Sequence, residues 1–113
     1  MKTYIPISFL TLLFIACAEE AVEPKAAEML EMSRMYLSER KYDAARDSIL
    51  SLRNKYPTAI EERAQALLLL DSVEMLAAQD SMKNVQGEEW KRLSVKAEFF
   101  KRKIEVDKKK LAR

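Results

Sequence analysis

The segment AQALLLL at residues 64–70 gives the strongest indication of the fold of this chain of 113 residues. Wound as a helix, it is apolar nearly all round, so it should be covered by protein on both sides. Thr58 is a good N-cap for this helix, and Glu61 completes the capping-box pattern three residues later. Pro57 ends the preceding helix, because a proline disfavours helical backbone in the residue before it. We therefore expect a central helix that starts near Thr58 and fades within residues 78–87.

Two amphipathic helices precede this central helix. The first is predicted over residues 24–39, and its apolar side chains recur at spacings of three and four. A turn at residues 40–41 separates it from the second, which continues to about residue 55 with a similar pattern. The two faces consist of Met29, Met32, Ser33 and Tyr36 in the first helix, and of Tyr42, Ala45, Ile49, Leu52 and Tyr56 in the second. The scarcity of glycine and proline also favours an all-helical domain.

This helical pair resembles a tetratricopeptide repeat, a helix–turn–helix unit of about 34 residues, over roughly residues 26–59. The residues at its signature positions are Tyr36, Ala45, Ile49 and Pro57, with Met29 in place of tryptophan, Met32 in place of leucine and Ser33 in place of glycine. The KYP ending at residues 55–57 is also similar to repeats in small envelope lipoproteins. We expect a concave contact region near Tyr36, Tyr42 and Arg46. A generic amphipathic hairpin is the alternative.

The carboxy-terminal residues 88–113 predict a long, coiled-coil-like helix. Apolar side chains recur there at intervals of three, four and seven, with Asp107 at the skipped position. At about 37 Å this helix is longer than the hairpin on which it could pack, so part of its apolar face should protrude towards a protein partner or a second copy. The apolar positions are Trp90, Leu93, Ala97, Phe100, Ile104 and Leu111, of which Trp90, Leu93, Phe100 and Ile104 are candidate partner-binding residues. The predicted fold is all-α, with a tetratricopeptide-like hairpin plus a third helix in residues 24–83 and then this coiled-coil-like helix.

The other face of this carboxy-terminal helix is strongly basic. Residues 18–87 carry a net charge of −4 and residues 88–113 a net charge of +5, so the two halves have opposite sign. A basic face attracts an anionic envelope polymer, acidic headgroups or the acidic half of another copy. An ordinary solvated helix face has the same composition. The candidate polymer-binding residues are Lys101, Arg102, Lys103, Lys108, Lys109 and Lys110.

The amino-terminal residues 1–16 have the form of a signal peptide. Their apolar run, residues 5–16, spans about 18 Å as a helix, which is too short for a hydrocarbon core of about 30 Å. The sequence FIAC at residues 14–17 resembles the end of a bacterial lipoprotein signal, with phenylalanine where leucine is usual. The resemblance implies that Cys17 is acylated after cleavage and anchors the protein in the cell envelope through a tether at residues 17–23. The resemblance also implies the outer membrane rather than the inner, because alanine follows this cysteine where an aspartate would resemble an inner-membrane retention signal; an ordinary secretory signal is the alternative.

The sequence predicts no catalytic residue, no cofactor and no metal site. The chain has no histidine and only one glycine, which removes the commonest general base and any glycine-rich phosphate loop. Asp71 interrupts the apolar helix and is expected at its wet edge or paired with a basic neighbour such as Arg46 or Arg63; a buried acceptor or a binding group is the alternative. We therefore expect a non-enzymatic envelope lipoprotein that acts as a protein-interaction adaptor, without nucleic acid or a small-molecule substrate. The alternative is a module that binds an anionic polymer or lipid headgroups.

Overall fold

The computed structural model describes residues 23–112, and all regular secondary structure in that range is helical. The four helices are α1 (Glu23–Ser38), α2 (Tyr42–Lys55), α3 (Ile60–Met82) and α4 (Glu88–Leu111). This confirms the all-α prediction. The bounds predicted for α1, α2 and α4 are close to those observed.

The central position of α3 organises the fold. α1 and α2 form a helical hairpin, α3 packs on both of these helices, and α4 packs on α3. Among the described helices, α4 makes no packing contact with α1 or α2. The prediction that the helix containing residues 64–70 is covered on both sides is therefore confirmed, and the apolar composition of that stretch explains it.

A small apolar core lies between α1, α2 and α3. Ile49 and Leu52 of α2 and Val73 of α3 are fully buried, and Leu30 of α1 is nearly so. Burying an aliphatic side chain of this size contributes about 1.5–3 kcal/mol relative to leaving it in water. Ala45 lies among them, and its small side chain leaves room for the neighbouring helices. The core therefore stabilises the three helices as one unit.

The contact between α1 and α2 includes a buried serine where the repeat pattern has glycine. Ser33 is fully buried, and its hydroxyl donates to the Met29 carbonyl at 2.8 Å, so its polar group is satisfied within α1. Ser48 of α2 donates to the same carbonyl at 3.4 Å. Met32, predicted on the apolar face, is instead 43% exposed. The buried face of α1 runs through Leu30 and Ser33. Consecutive residues lie about 100° apart around a helix, so Met32 points away from this buried face.

The start of α3 differs from the prediction. The helix begins at Ile60 with Ala59 before it, and no side chain caps this end, so the predicted capping by Thr58 is wrong. The chain instead forms a turn in which the amide of Ala59 donates to the Tyr56 carbonyl at 3.2 Å, and the amide of Ile60 donates to the Thr58 carbonyl at 2.9 Å. Ala59 is buried by this arrangement. The helix therefore starts one residue later than a cap at Thr58 would place it.

α4 is matched in length by the helix beneath it. α3 has 23 residues and α4 has 24, so each is about 35 Å long. α4 is longer than either helix of the hairpin, as expected, but it packs on α3, which continues as a helix to Met82. Gly87, with φ of 70°, then makes the turn into α4, a backbone conformation that glycine adopts without strain. The exposed part of α4 is therefore a face that runs along the helix, and not a protruding end.

Candidate interaction surface

A buried ionic cluster joins α4 to α3. The Lys103 ammonium donates to Asp71 Oδ1 at 3.0 Å and to Asp107 Oδ2 at 2.7 Å. Asp71 is 2% exposed and Asp107 is 6% exposed. Asp71 belongs to α3 and the other two residues to α4, so this ionic cluster fixes the register of the two helices. Asp71 is thus buried rather than at a wet edge, and its basic neighbour is Lys103 instead of Arg46 or Arg63.

The ionic cluster has unusual protonation chemistry. Burial of its carboxylate raises the pKa of Asp71 from 3.8 to about 6; the Asp107 carboxyl adds to this rise, and Lys103 opposes it. The interaction with Asp71, followed by that with Lys103, lowers the pKa of Asp107. Hydrogen bonding to Asp107 raises the pKa of Lys103. Asp71 Oδ2 is buried without a hydrogen-bond partner in residues 23–112, which is consistent with a raised pKa because an unpaired buried oxygen penalises the charged form.

Polar contacts also hold α2 and the preceding turn against α3. Arg40 Nη1 donates to both carboxylate oxygens of Asp80 at 2.7 Å, and the Tyr42 hydroxyl donates to the same carboxylate. These contacts, that of Tyr42 first, lower the pKa of Asp80 to about 2. Arg46 Nη2 donates to Glu74 Oε1 at 2.6 Å. These bonds connect the first hairpin to the central helix at two points.

The three residues predicted to line a concave contact region all take part in helix packing. Tyr36 is half-buried against the apolar core. Tyr42 and Arg46 are bound to acidic side chains of α3, as described above. A partner that used Tyr42 or Arg46 would compete with these contacts.

The predicted apolar face of α4 is mostly turned towards α3. Ala97 is buried, and Leu93, Phe100 and Ile104 are half-buried. Because α4 packs only on α3 among the described helices, this covered face is the one that contacts α3. Trp90 differs from them, since it is 44% exposed near the start of the helix. The structure therefore separates Trp90 from the other candidate partner-binding residues.

A second apolar face of α4 remains exposed. Val95, Phe99 and Val106 are 70%, 58% and 51% exposed, and we call these three residues the outer apolar stripe. Their spacings of four and seven place them on one side of the helix. The Phe99 ring meets the Phe100 ring edge-on, with centroids 5.1 Å apart, so it rests on a partly buried neighbour. Isolated exposed apolar residues are ordinary, but an aligned row of them is typical of a binding surface.

Charged side chains and a groove accompany the outer apolar stripe. A groove of about 670 Å³ runs beside it and is bounded on α3 by Leu67. Glu98, Arg102 and Lys110 of α4 also line this groove. Arg102 Nε lies 3.5 Å from Glu98 Oε1, one helical turn away. The surface thus combines an apolar centre with a charged rim, as protein interfaces do.

The predicted polymer-binding residues divide into two groups. Lys103 points into the ionic cluster, where its charge is occupied by two carboxylates. The other members are exposed on α4: Lys101, Arg102, Lys108, Lys109 and Lys110. Lys101 and Lys108 line a further groove, of about 730 Å³, whose opposite side includes Arg34 of α1. The exposed basic set remains available for contact with an anion.

Comparison with protein-family models, with curated proteins and with solved structures finds no match for this chain. The predicted acylation site, Cys17, lies outside the described residues. In residues 23–112, no helix is both long enough and apolar enough to cross a membrane. That part of the chain also holds no group of three histidine, cysteine, aspartate or glutamate side chains suited to a metal ion. A function must therefore be inferred from the surface chemistry of the chain itself.

Proposed function

We propose that this protein is a non-enzymatic, lipid-anchored adaptor of the bacterial cell envelope, and that the outer apolar stripe of α4 binds a partner protein. The observation that carries the proposal is the exposure of Val95, Phe99 and Val106 on a helix that packs only on α3 among the described helices. Covering such side chains removes apolar surface from water, at about 25 cal/mol per Å². Anchoring through Cys17 would hold this surface close to the membrane.

The architecture supports a role in holding a surface in place. The ionic cluster and the half-buried side chains of α4 fix that helix on α3, so the outer apolar stripe is presented by a supported helix. Rigid presentation lowers the entropy cost of binding. The α1–α2 hairpin is tetratricopeptide-like in this proposal, with Ser33 buried at the position of the repeat glycine. Such repeats commonly act as scaffolds for contact.

The alternative function is binding of an anionic polymer or lipid headgroups by the exposed lysines of α4. The carboxy-terminal residues 88–113 carry a net charge of +5, which favours this alternative. Against it, several of these side chains have acidic neighbours, since Lys108 lies 4.0 Å from Glu105 and Arg102 lies 3.5 Å from Glu98. Polymer binding would use the basic residues whether or not the outer apolar stripe is intact.

Substitution of Phe99 distinguishes these two functions. We expect Phe99→Asp to lower co-purification of the partner from gently extracted membranes by tenfold or more, because it places a charge in the centre of the contact. A triple variant, Lys108→Gln, Lys109→Gln and Lys110→Gln, should retain most of the co-purified partner. Ile60→Asp is the matched control, since Ile60 is an exposed apolar residue, 78% exposed, at the start of another helix. If Phe99→Asp retains the co-purified partner and the triple variant loses it, the result would favour polymer binding.

A further inference from the structure

The directions of the four helices place the start of α1 and the end of α4 at the same end of the molecule. Arg34 of α1 donates to Gln65 of α3 at 2.9 Å. Arg40, just after α1, donates to Asp80 at 2.7 Å, so α1 and α3 run in the same direction. α2 returns beside α1 and α4 returns beside α3, each after a short turn. The starts of α1 and α3 therefore lie beside the ends of α2 and α4.

The two ends of this helical stack differ in charge. The end just described consists of residues 23–26, 52–63 and 108–111, and we call it the basic end. These residues include seven basic and three acidic side chains, a net charge of +4. The opposite end, residues 35–45 and 79–91, has four basic and five acidic side chains, a net charge of −1. An anionic surface therefore attracts the basic end more than the other.

The lysines in the last turn of α4 are available for such a contact. Lys108, Lys109 and Lys110 are all exposed, and neither Lys109 nor Lys110 forms an ion pair with another described residue. Lys108 lies 4.0 Å from Glu105, on the preceding turn. Each lysine or arginine close to an anionic membrane surface strengthens binding about fivefold.

The proposed acyl anchor lies close to the basic end in the sequence. Cys17 is six residues before Glu23, where α1 starts, and six residues span at most about 20 Å. An anchored chain therefore keeps the basic end near the bilayer. Glu19 and Glu20 of the connecting segment reduce the net positive charge there but do not cancel it.

We propose that the basic end lies on anionic headgroups of the membrane that holds Cys17, so that the helices stand away from the bilayer. This proposal rests on the proposed function, because it requires the acyl anchor, and it adds where the outer apolar stripe is presented. Along the axis of α4, Val106 lies about 6 Å and Val95 about 22 Å from Lys110. The partner of the stripe is then a protein held at the same membrane, and the headgroups support the domain.

The test is fluorescence quenching, which reports how close each end of the domain lies to the headgroups. The full-length acylated protein is reconstituted into phosphatidylcholine vesicles, with or without phosphatidylglycerol, that contain a lipid with a quencher on its headgroup. A fluorophore is attached through Ala112→Cys beside the basic end or through Asn84→Cys at the opposite end, both exposed positions. We expect stronger quenching at position 112 when phosphatidylglycerol is present. Salt at about 1 M, where the Debye length is about 3 Å, should weaken it.

The triple glutamine variant of α4 described above tests the lysines directly. It should lower the ratio of docked to undocked domain on the order of 100-fold, so that most of the quenching at position 112 is lost. The matched control, Lys83→Gln, Lys91→Gln and Arg92→Gln, removes the same charge near the opposite end and should leave the quenching unchanged. Co-purification of the partner in detergent should survive in the triple glutamine variant, because it does not need the bilayer contact.

Three results would overturn this contact and leave the proposed function standing. They are equal quenching at positions 112 and 84, quenching at 112 that does not need phosphatidylglycerol, or quenching that is unchanged in the triple glutamine variant. If position 112 is not quenched and the same lysines bind a soluble anionic polymer, their ligand is a polymer and not the bilayer. A mature protein whose mass shows no acyl chain on Cys17 would contradict both proposals.

Discussion

Replacing Lys103 by methionine is expected to lower the free energy of unfolding by about 3–5 kcal/mol at neutral pH. The substitution removes the ammonium group that lies 3.0 Å from Asp71 and 2.7 Å from Asp107. Two poorly exposed carboxyl groups then face each other without compensation, and one of them must take up a proton or be drawn into water. A domain of this size has about 5–15 kcal/mol of stability in total, so the loss is a large part of it. Urea denaturation followed by circular dichroism measures the change.

Lys101→Met is the matched control, because Lys101 is an exposed lysine on the same helix. We expect it to change the stability by less than about 0.5 kcal/mol. A triple variant, Asp71→Leu, Lys103→Met and Asp107→Leu, should recover most of the loss, since replacing a whole buried ionic group by apolar side chains is often neutral. Equal stabilities of Lys103→Met and Lys101→Met would show that the ionic cluster does not hold α4 on α3.

Asp71→Asn is expected to increase stability at pH 7.5 by about 2 kcal/mol and to remove a pH dependence between about pH 4 and pH 6. In the folded protein the pKa of Asp71 is about 6, above its ordinary value of 3.8. The folded state therefore binds this proton more tightly than the unfolded state does, and stability falls as the pH rises through that window. A difference of about two pKa units corresponds to about 2–3 kcal/mol. Asparagine resembles the protonated acid and carries no charge to bury.

The measurement is the urea midpoint of wild type and Asp71→Asn at pH 4.5, 6 and 7.5. The wild type should lose stability across this series relative to the variant, which should change little. Asp47→Asn, on the exposed face of α2, controls for the loss of one negative charge. A wild type whose stability relative to Asp71→Asn rises with pH would show that the buried carboxylate is favoured by Lys103 more than it is penalised by burial.

The helices of this protein could be predicted from the sequence because their signals are local. Residues 64–70 form an apolar run that identifies the central helix, and Pro57 marks the end of the helix before it. The pattern at Thr58 predicts a cap that does not form, because a turn that buries Ala59 competes with it, and that competition depends on packing. The observed end of α3 at Met82 lies within the range 78–87 that the sequence predicts. Asp80 lies in the last turn of this helix, where Arg40 binds its carboxylate.

The candidate site was harder to predict, because it depends on which faces of the helices meet. The sequence shows two stripes of apolar residues on α4, and the more regular one, through Leu93 and Phe100, is the one whose spacing predicts a partner-binding face. In the structure that stripe packs on α3, and the less regular one, with Phe99, is exposed. The sequence does contain a signal for which faces meet, because Asp71 and Asp107 are polar residues within two otherwise apolar faces. When these faces pack together, the two carboxylates bind the same lysine, Lys103.

The most direct test of the proposed interaction surface compares two adjacent positions, Phe99 and Phe100. A photo-crosslinking amino acid is placed at one position or the other of the full-length protein in native membranes. We predict that position 99 forms an adduct with another protein chain, and that position 100 links only to α3 of its own chain. The reverse pattern, or the absence of any protein adduct at position 99, would contradict the claim that the outer apolar stripe of α4 is the binding surface.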